Sequence, residues 1–343
     1  MVQRFLAKLS LTDIFRTLRI FWRWRFFFAR SRGPAASALS RGKLGAKVFV
    51  YAVVGERSGF DLCPSFNSQW YLRSNPDVAN QGANPLAHFL AIGAGEGRNP
   101  NPLFDSAWYL ERNPDVAAAG INPLEHYLMR GGSEGRSPHA LFDSAWYLAQ
   151  NPDVAATGIN PLEHYLVHGG SEGCSPHPLF DSTWYLQRNP DVVAAGINPL
   201  EHYFICGGSE GRSPHPLFDS AWYLAQNPDV AAAGINPLEH YLMRGGREGR
   251  SPHPLFDSTW YLQRNRDVAA TGVNPLVHYV QRGASERRNP SPGFNTNAYL
   301  ARNPDVKAAG INPLVHHVLN GMSKDNLHDS LRGQSRDTKS MVR

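Results

Sequence analysis

The sequence predicts an all-α, solenoid-like stack of seven 38-residue repeats, each of about three short helices, preceded by an amphipathic helix. Three observations lead there. The same phrase returns at Phe66, Phe104, Phe142, Phe180, Phe218, Phe256 and Phe294 with no insertion or deletion. Helix start and stop signals recur at fixed offsets inside each period. The helices they define are shorter than the roughly 12–15 residues an isolated helix needs in water, so their apolar faces must be buried by neighbouring repeats.

The second repeat shows the logic. Phe104-Asp105-Ser106 leads into a first helix, with Asp105 or Ser106 placed to accept from first-turn amides. Asn113-Pro114-Asp115 opens a second: the asparagine caps, the proline presets φ and the aspartate favours the positive end. Gly120 stops it. Asn122-Pro123-Leu124-Glu125 opens a third, with Glu125 at the capping-box position. Gly131 and Gly132 are expected to end it in the left-handed conformation. The expected core is Phe104, Trp108, Tyr109, Leu110, Val116, Ile121, Leu124, Tyr127 and Leu128. His126 belongs with them, as a structural imidazole bonded to an adjacent repeat's backbone.

Both ends of the array depart from the pattern, as terminal repeats with one unpartnered face do. Ala87 and Phe89 replace Glu and Tyr in the first repeat; Ala298 and His317 replace Trp and Tyr in the last. The organisation read from these boundaries is a basic aromatic helix over 1–32, a linker with a short apolar island over 33–65, the array over 66–321 and a disordered polar tail over 322–343. Inside the array SAWYLAQ alternates with STWYLQR, which indicates duplication of a two-repeat block.

The net charge of +5 conceals a split. Residues 1–60 hold twelve Lys and Arg against Asp13 and Glu56, so the other 283 residues hold 22 basic and 27 acidic groups. In the arm, Leu11, Ile14, Phe15, Leu18, Phe21 and Trp22 fall on one helical face, with Arg16, Arg19 and Arg23 opposite. Trp24, Phe26 and Phe27 follow, interleaved with Arg25. This composition points to a helix lying in the interface of an anionic bilayer. The alternatives are a cap packed on the first repeat and a targeting segment. Charges recur too often for a membrane span.

Candidate chemistry inside the array is sparse. His88, His126, His164, His202, His240, His278 and His316 form a ladder, with Glu preceding four of them, but consecutive helical residues point about 100° apart and metal ligands would have to come from neighbouring repeats. His139, His177, His215 and His253 sit in the connections without a closely spaced partner. Asp115 and its equivalents lack the alternating acidic loop of a calcium site. Glu134 and Arg136, with their counterparts, are expected to form solvated ion pairs linking adjacent repeats. Cys63, Cys174 and Cys206 occupy unrelated repeat positions and imply no disulfide framework. No catalytic residue, cofactor or metal ligand is assigned, and the acidic array speaks against nucleic acid as partner.

The phrases FDSAWYL, NPDVAAAG, INPLEHYL and GGSEGRSP resemble a repeat of bacterial proteins, found beside glycosyltransferase domains of surface-polysaccharide synthesis and in some large secreted or surface proteins. The resemblance covers 66–321 and includes no catalytic domain. It implies an accessory role in the bacterial envelope. Together these readings predict a non-catalytic scaffold, attached through residues 1–32 to anionic lipid at the cytoplasmic face of the inner membrane. The array would engage a protein or glycan. The alternative is a surface or secreted carbohydrate-binding protein, and a third reading is an accessory fragment of a glycosyltransferase.

Overall fold

The computed structural model describes residues 63–321. The basic aromatic helix, nearly all of the linker with its apolar island, and the polar tail lie outside the described residues. The architecture is an all-helical run of 38-residue repeats. Its contacts divide the chain into two compact blocks, Met1–Pro176 and His177–Arg343, where the sequence predicts one array. The division falls in the connection leaving the third repeat.

Each repeat places its helices where the punctuation predicts. In the second, they are Ser106–Arg112, Pro114–Ala118 and Pro123–His126. The third continues as a π-helical turn over Tyr127–Gly131, in which the Gly132 N–H donates to the Tyr127 carbonyl at 2.8 Å. Asp105, not Ser106, caps the first helix, accepting from the Trp108 N–H at 2.9 Å. Asn122 caps the third, accepting from the Leu124 and Glu125 N–H groups. Asn113 does not cap the second: its side-chain amide donates back to the Tyr109 carbonyl at 2.7 Å.

The third helix ends later than expected. Gly131 and Gly132 remain right-handed, and Gly135 takes the left-handed turn at φ 76°. There Arg136 N–H donates to Gly131 O and Gly135 N–H to Gly132 O, the paired bonds of a Schellman motif. Gly131 and Gly132 are needed for space. A Cβ on Gly131 would overlap the Tyr109 hydroxyl, and one on Gly132 would lie 2.5 Å from Asn160 Nδ2 of the next repeat.

Phe104, Tyr109, Val116, Leu124, Tyr127 and Leu128 are buried, as predicted. Trp108, Leu110 and His126 are only half-buried, and Ile121 is 42% exposed. Tyr127 packs against Phe104 and Tyr109 with ring centroids 5.6 and 5.8 Å away. It also joins its repeat to the next. Its hydroxyl meets Ser144 Oγ at 3.0 Å, and its carbonyl accepts from Asn160 Nδ2 at 3.2 Å. In the second block Tyr203 and Tyr241 do the same with Ser220 and Asn236, and with Ser258 and Asn274.

The exceptions explain themselves. Phe89 has no hydroxyl, and Ser106 Oγ donates instead to the Arg98 carbonyl at 2.8 Å. Thr296 likewise turns to the Arg288 carbonyl, leaving the Tyr279 hydroxyl without a hydrogen-bond partner. Two otherwise identical substitutions should therefore differ. Chemical denaturation should show Tyr241→Phe losing about 1–2 kcal/mol and Tyr279→Phe losing nothing or gaining up to about 1 kcal/mol, because the first strands the Ser258 hydroxyl and the second removes a hydroxyl already unpaired.

Candidate functional site: charged brackets, buried histidines and an exposed apolar column

The charged ridge is built inside each repeat, which corrects the expected link between neighbours. Arg136 leaves the Schellman turn and reaches the start of the second helix, where Nη1 donates to both Asp115 carboxylate oxygens at 2.9 Å and to Asn113 Oδ1 at 2.9 Å. Its Nε donates to Glu134 at 2.8 Å. Arg98, Arg212, Arg250 and Arg288 repeat the bracket. The arginines hold the carboxyls of Asp77, Asp115, Asp191 and Asp229 below the usual range, and that of Asp267 down to about 2. These pairs are open to water and individually weak. Their effect is positional: one guanidinium ties the end of the third helix to the start of the second.

The third repeat breaks the series, with Cys174 where the first, second, fourth, fifth and sixth carry arginine. Asp153 is left without that guanidinium. Cys174→Arg should rebuild the bracket with Asn151, Asp153 and Glu172, raising the melting temperature by about 1–2 °C. A scan of the purified variant beside wild type measures it.

The two histidine sets have separate structural roles. In the ladder, His126 Nδ1 meets the Tyr109 hydroxyl of its own repeat at 2.8 Å, and the same pair recurs from Tyr71–His88 to Tyr299–His316. The expected bond to an adjacent repeat's backbone is replaced by this tyrosine. In the connections, His139, His177, His215 and His253 accept through Nδ1 from the N–H two residues on, at 3.0–3.1 Å. An imidazole accepting at Nδ1 carries its proton on Nε2 and must stay neutral. Burial pushes His177 and His215 down to about 3, with His215 further lowered by His177 and His253, and pushes His253 down as well.

Acid lability follows. The unfolded imidazole takes its proton near pH 6.5, while the folded one resists it to about 3, so stability is complete above the first value and lost as pH falls toward the second. At pH 4 His177 and His215 should each cost about 3 kcal/mol. Asn101 occupies the same place in the first repeat and accepts the Leu103 N–H through Oδ1 at 2.8 Å. His215→Asn should keep the turn and flatten the pH–stability curve between 6.5 and 4, read by denaturation at a series of pH values.

Glu163 runs the opposite way. Burial pushes its carboxyl up to about 7, and its Oε1 lacks a hydrogen-bond partner. Burial also raises Glu201. Sequence reasoning placed these glutamates only as capping residues. The signal was Val277 and Val315 at the same position, where a solvent-facing glutamate has no reason to become valine.

Each block also carries exposed apolar residues at one repeat position. The residue after the left-handed glycine of the second helix is exposed: Ile121 at 42% and Ile159 at 40% in the first block, Ile197, Ile235, Val273 and Ile311 in the second. Its backbone is fixed, since Ile121 N–H donates to the Val116 carbonyl beyond Gly120, φ 61°. Met129 and Val167, with Ile205 and Met243 in the other block, add exposed apolar side chains from the third helix. The core tyrosines offer no surface, being at 0% exposure. The half-buried tryptophans are partly covered by arginine: Arg112 lies 5.4 Å over Trp108 and Arg188 4.9 Å over Trp184.

No family model, curated protein or solved structure matches the chain. Among the described residues no helix is long and apolar enough to cross a membrane. The predicted membrane-contact residues, from Leu11 to Phe27, lie outside the described residues.

Proposed function

We propose that the chain is a non-catalytic interaction scaffold of the bacterial cell envelope, accessory to polysaccharide synthesis. Its arm would hold it on anionic lipid at the cytoplasmic face of the inner membrane, and its array would bind a protein partner. The observation that carries the scaffold reading is the exposed apolar residue held at one backbone position in repeat after repeat. Isolated exposed isoleucines are ordinary. Recurrence in register, on a rigid Schellman turn, supports a surface selected for contact. The excess of acidic over basic groups in the array favours an apolar partner surface over a polyanion.

Carbohydrate binding is the second reading, and only the tryptophan edges support it. The tyrosines that would have completed a sugar groove belong to the interior. Envelope placement rests on the repeat resemblance, and membrane attachment on the composition of residues 1–32.

One experiment with two arms tests the proposal. A photo-crosslinking residue at Ile235 in cells should yield a discrete adduct with an envelope-synthesis protein, and at the buried Val230 none. The full chain should float with anionic vesicles, and the chain lacking residues 1–32 should not. Adducts only with itself, or nucleotide-sugar turnover by the purified chain, would overturn the scaffold; equal flotation of both forms would overturn the anchor.

A further inference from the structure

We propose that the fourth repeat holds a zinc site made by His202, Cys206 and Glu210. The donor atoms of these three side chains all lie within 4.8 Å of one another, and among the described residues no other group of three such ligands does so. The spacing is dictated by the fold. His202 ends the α part of the third helix, Cys206 lies four residues on in the π-helical turn Tyr203–Gly207, and Glu210 follows in the Schellman turn. The Glu210 N–H donates to the Cys206 carbonyl at 3.0 Å, which fixes the backbone that carries both side chains, and the Cys206 thiol donates to the His202 carbonyl at 3.5 Å.

The ligand types suit zinc. Imidazole nitrogen, thiolate sulfur and carboxylate oxygen are its three protein donors, at bond lengths of about 2.0–2.3 Å. Such bonds place tetrahedral donors about 3.3–3.8 Å apart, against separations here of at most 4.8 Å. Calcium and magnesium take oxygen ligands and would not select a thiol.

The surroundings already orient the donors. His202 Nδ1 meets the Tyr185 hydroxyl at 2.8 Å, leaving Nε2 for the metal, and the Glu210 Oε2 takes the Arg212 Nε at 2.7 Å, leaving Oε1. Outer contacts of this kind hold zinc ligands in place in many proteins. Arg212 itself is countered by Asp191 at 2.7 Å, so the site does not face an uncompensated cation. Binding forms the zinc–sulfur bond and releases the thiol proton to solvent. Three protein ligands leave the fourth position for water or an external donor.

What distinguishes this repeat is one residue. The histidine and the glutamate recur in every repeat from the first to the sixth, while the position between them is Ile92, Arg130, His168, Cys206, Arg244 and Arg282 in turn. Arginine in three repeats shows that the turn forms without cysteine, which supplies a clean control.

The test is titration of the full, reduced chain with Zn2+ against a chromophoric chelator, and with Co2+ as a spectroscopic stand-in. Wild type should bind one Zn2+ per chain, and its Co2+ form should show a thiolate-to-metal charge-transfer band in the near ultraviolet. Cys206→Arg should abolish the band and weaken zinc by about tenfold or more, and Glu210→Gln should weaken it while keeping the band. The double variant Cys63→Ser, Cys174→Arg should bind like wild type. Equal zinc binding by wild type and Cys206→Arg, or a Co2+ complex without the thiolate band, would overturn the site. Circular dichroism of each variant confirms that the helices are kept.

Discussion

A buried tyrosine that belongs to two repeats at once sets the terms for everything else. Tyr127 gives its ring to its own core, its hydroxyl to Ser144 and its carbonyl to Asn160. Desolvation would make each of those polar atoms costly to leave unpaired. The pairing can be satisfied only when the next repeat arrives in one register, so the polar atoms select the register while the apolar ring supplies most of the favourable free energy. The π-helical turn serves the same contact. Widening the helix over Tyr127–Gly131 puts two glycines where the preceding hydroxyl and the following asparagine approach the backbone. A Cβ at either place would force the layers apart.

The charged residues act on a different scale. Each bracket sets one arginine between two carboxylates of its own repeat, so it is closed locally and keeps a net negative charge. Its contribution is to fasten the end of the third helix to the start of the second, where Asn113 is already committed to the Tyr109 carbonyl. The loop histidines perform an analogous task at the turn into the following repeat, and Asn101 shows that the task is hydrogen-bond acceptance. A neutral imidazole and an amide oxygen are interchangeable there; an imidazolium is not.

Much of this was legible in the sequence because it is local. The period, the Asp105 and Asn122 caps, the proline starts and the buried Phe104, Tyr109, Val116, Leu124 and Tyr127 all follow from rules acting over a few residues. What escaped depends on residues far apart in the chain. The Arg136–Asp115 pair spans 21 positions and the Tyr109–His126 pair 17, and no local pattern distinguishes them from contacts between neighbouring repeats. Asn113 was misread as a cap for the same reason: its competitor, the Tyr109 carbonyl, is presented only once the first helix is complete. Gly131 and Gly132 were misread because glycine signals a left-handed turn and a close approach with the same letter.

A repeat of this kind confines individuality to the positions its framework leaves free. Tyrosines such as Tyr127 and caps such as Asn160 are held by contacts that cross into a neighbouring repeat, so change there is felt across a boundary. The position between the ladder histidine and the bracket glutamate is the variable one, and it is there that isoleucine, arginine, histidine and cysteine alternate. Two fixed residues therefore flank one free residue in every repeat from the first to the sixth. A single substitution at the free position is enough to turn a structural histidine and a surface glutamate into two thirds of a ligand set. New chemistry is accordingly far easier to acquire at this position than in the interior, where each residue already answers to two repeats.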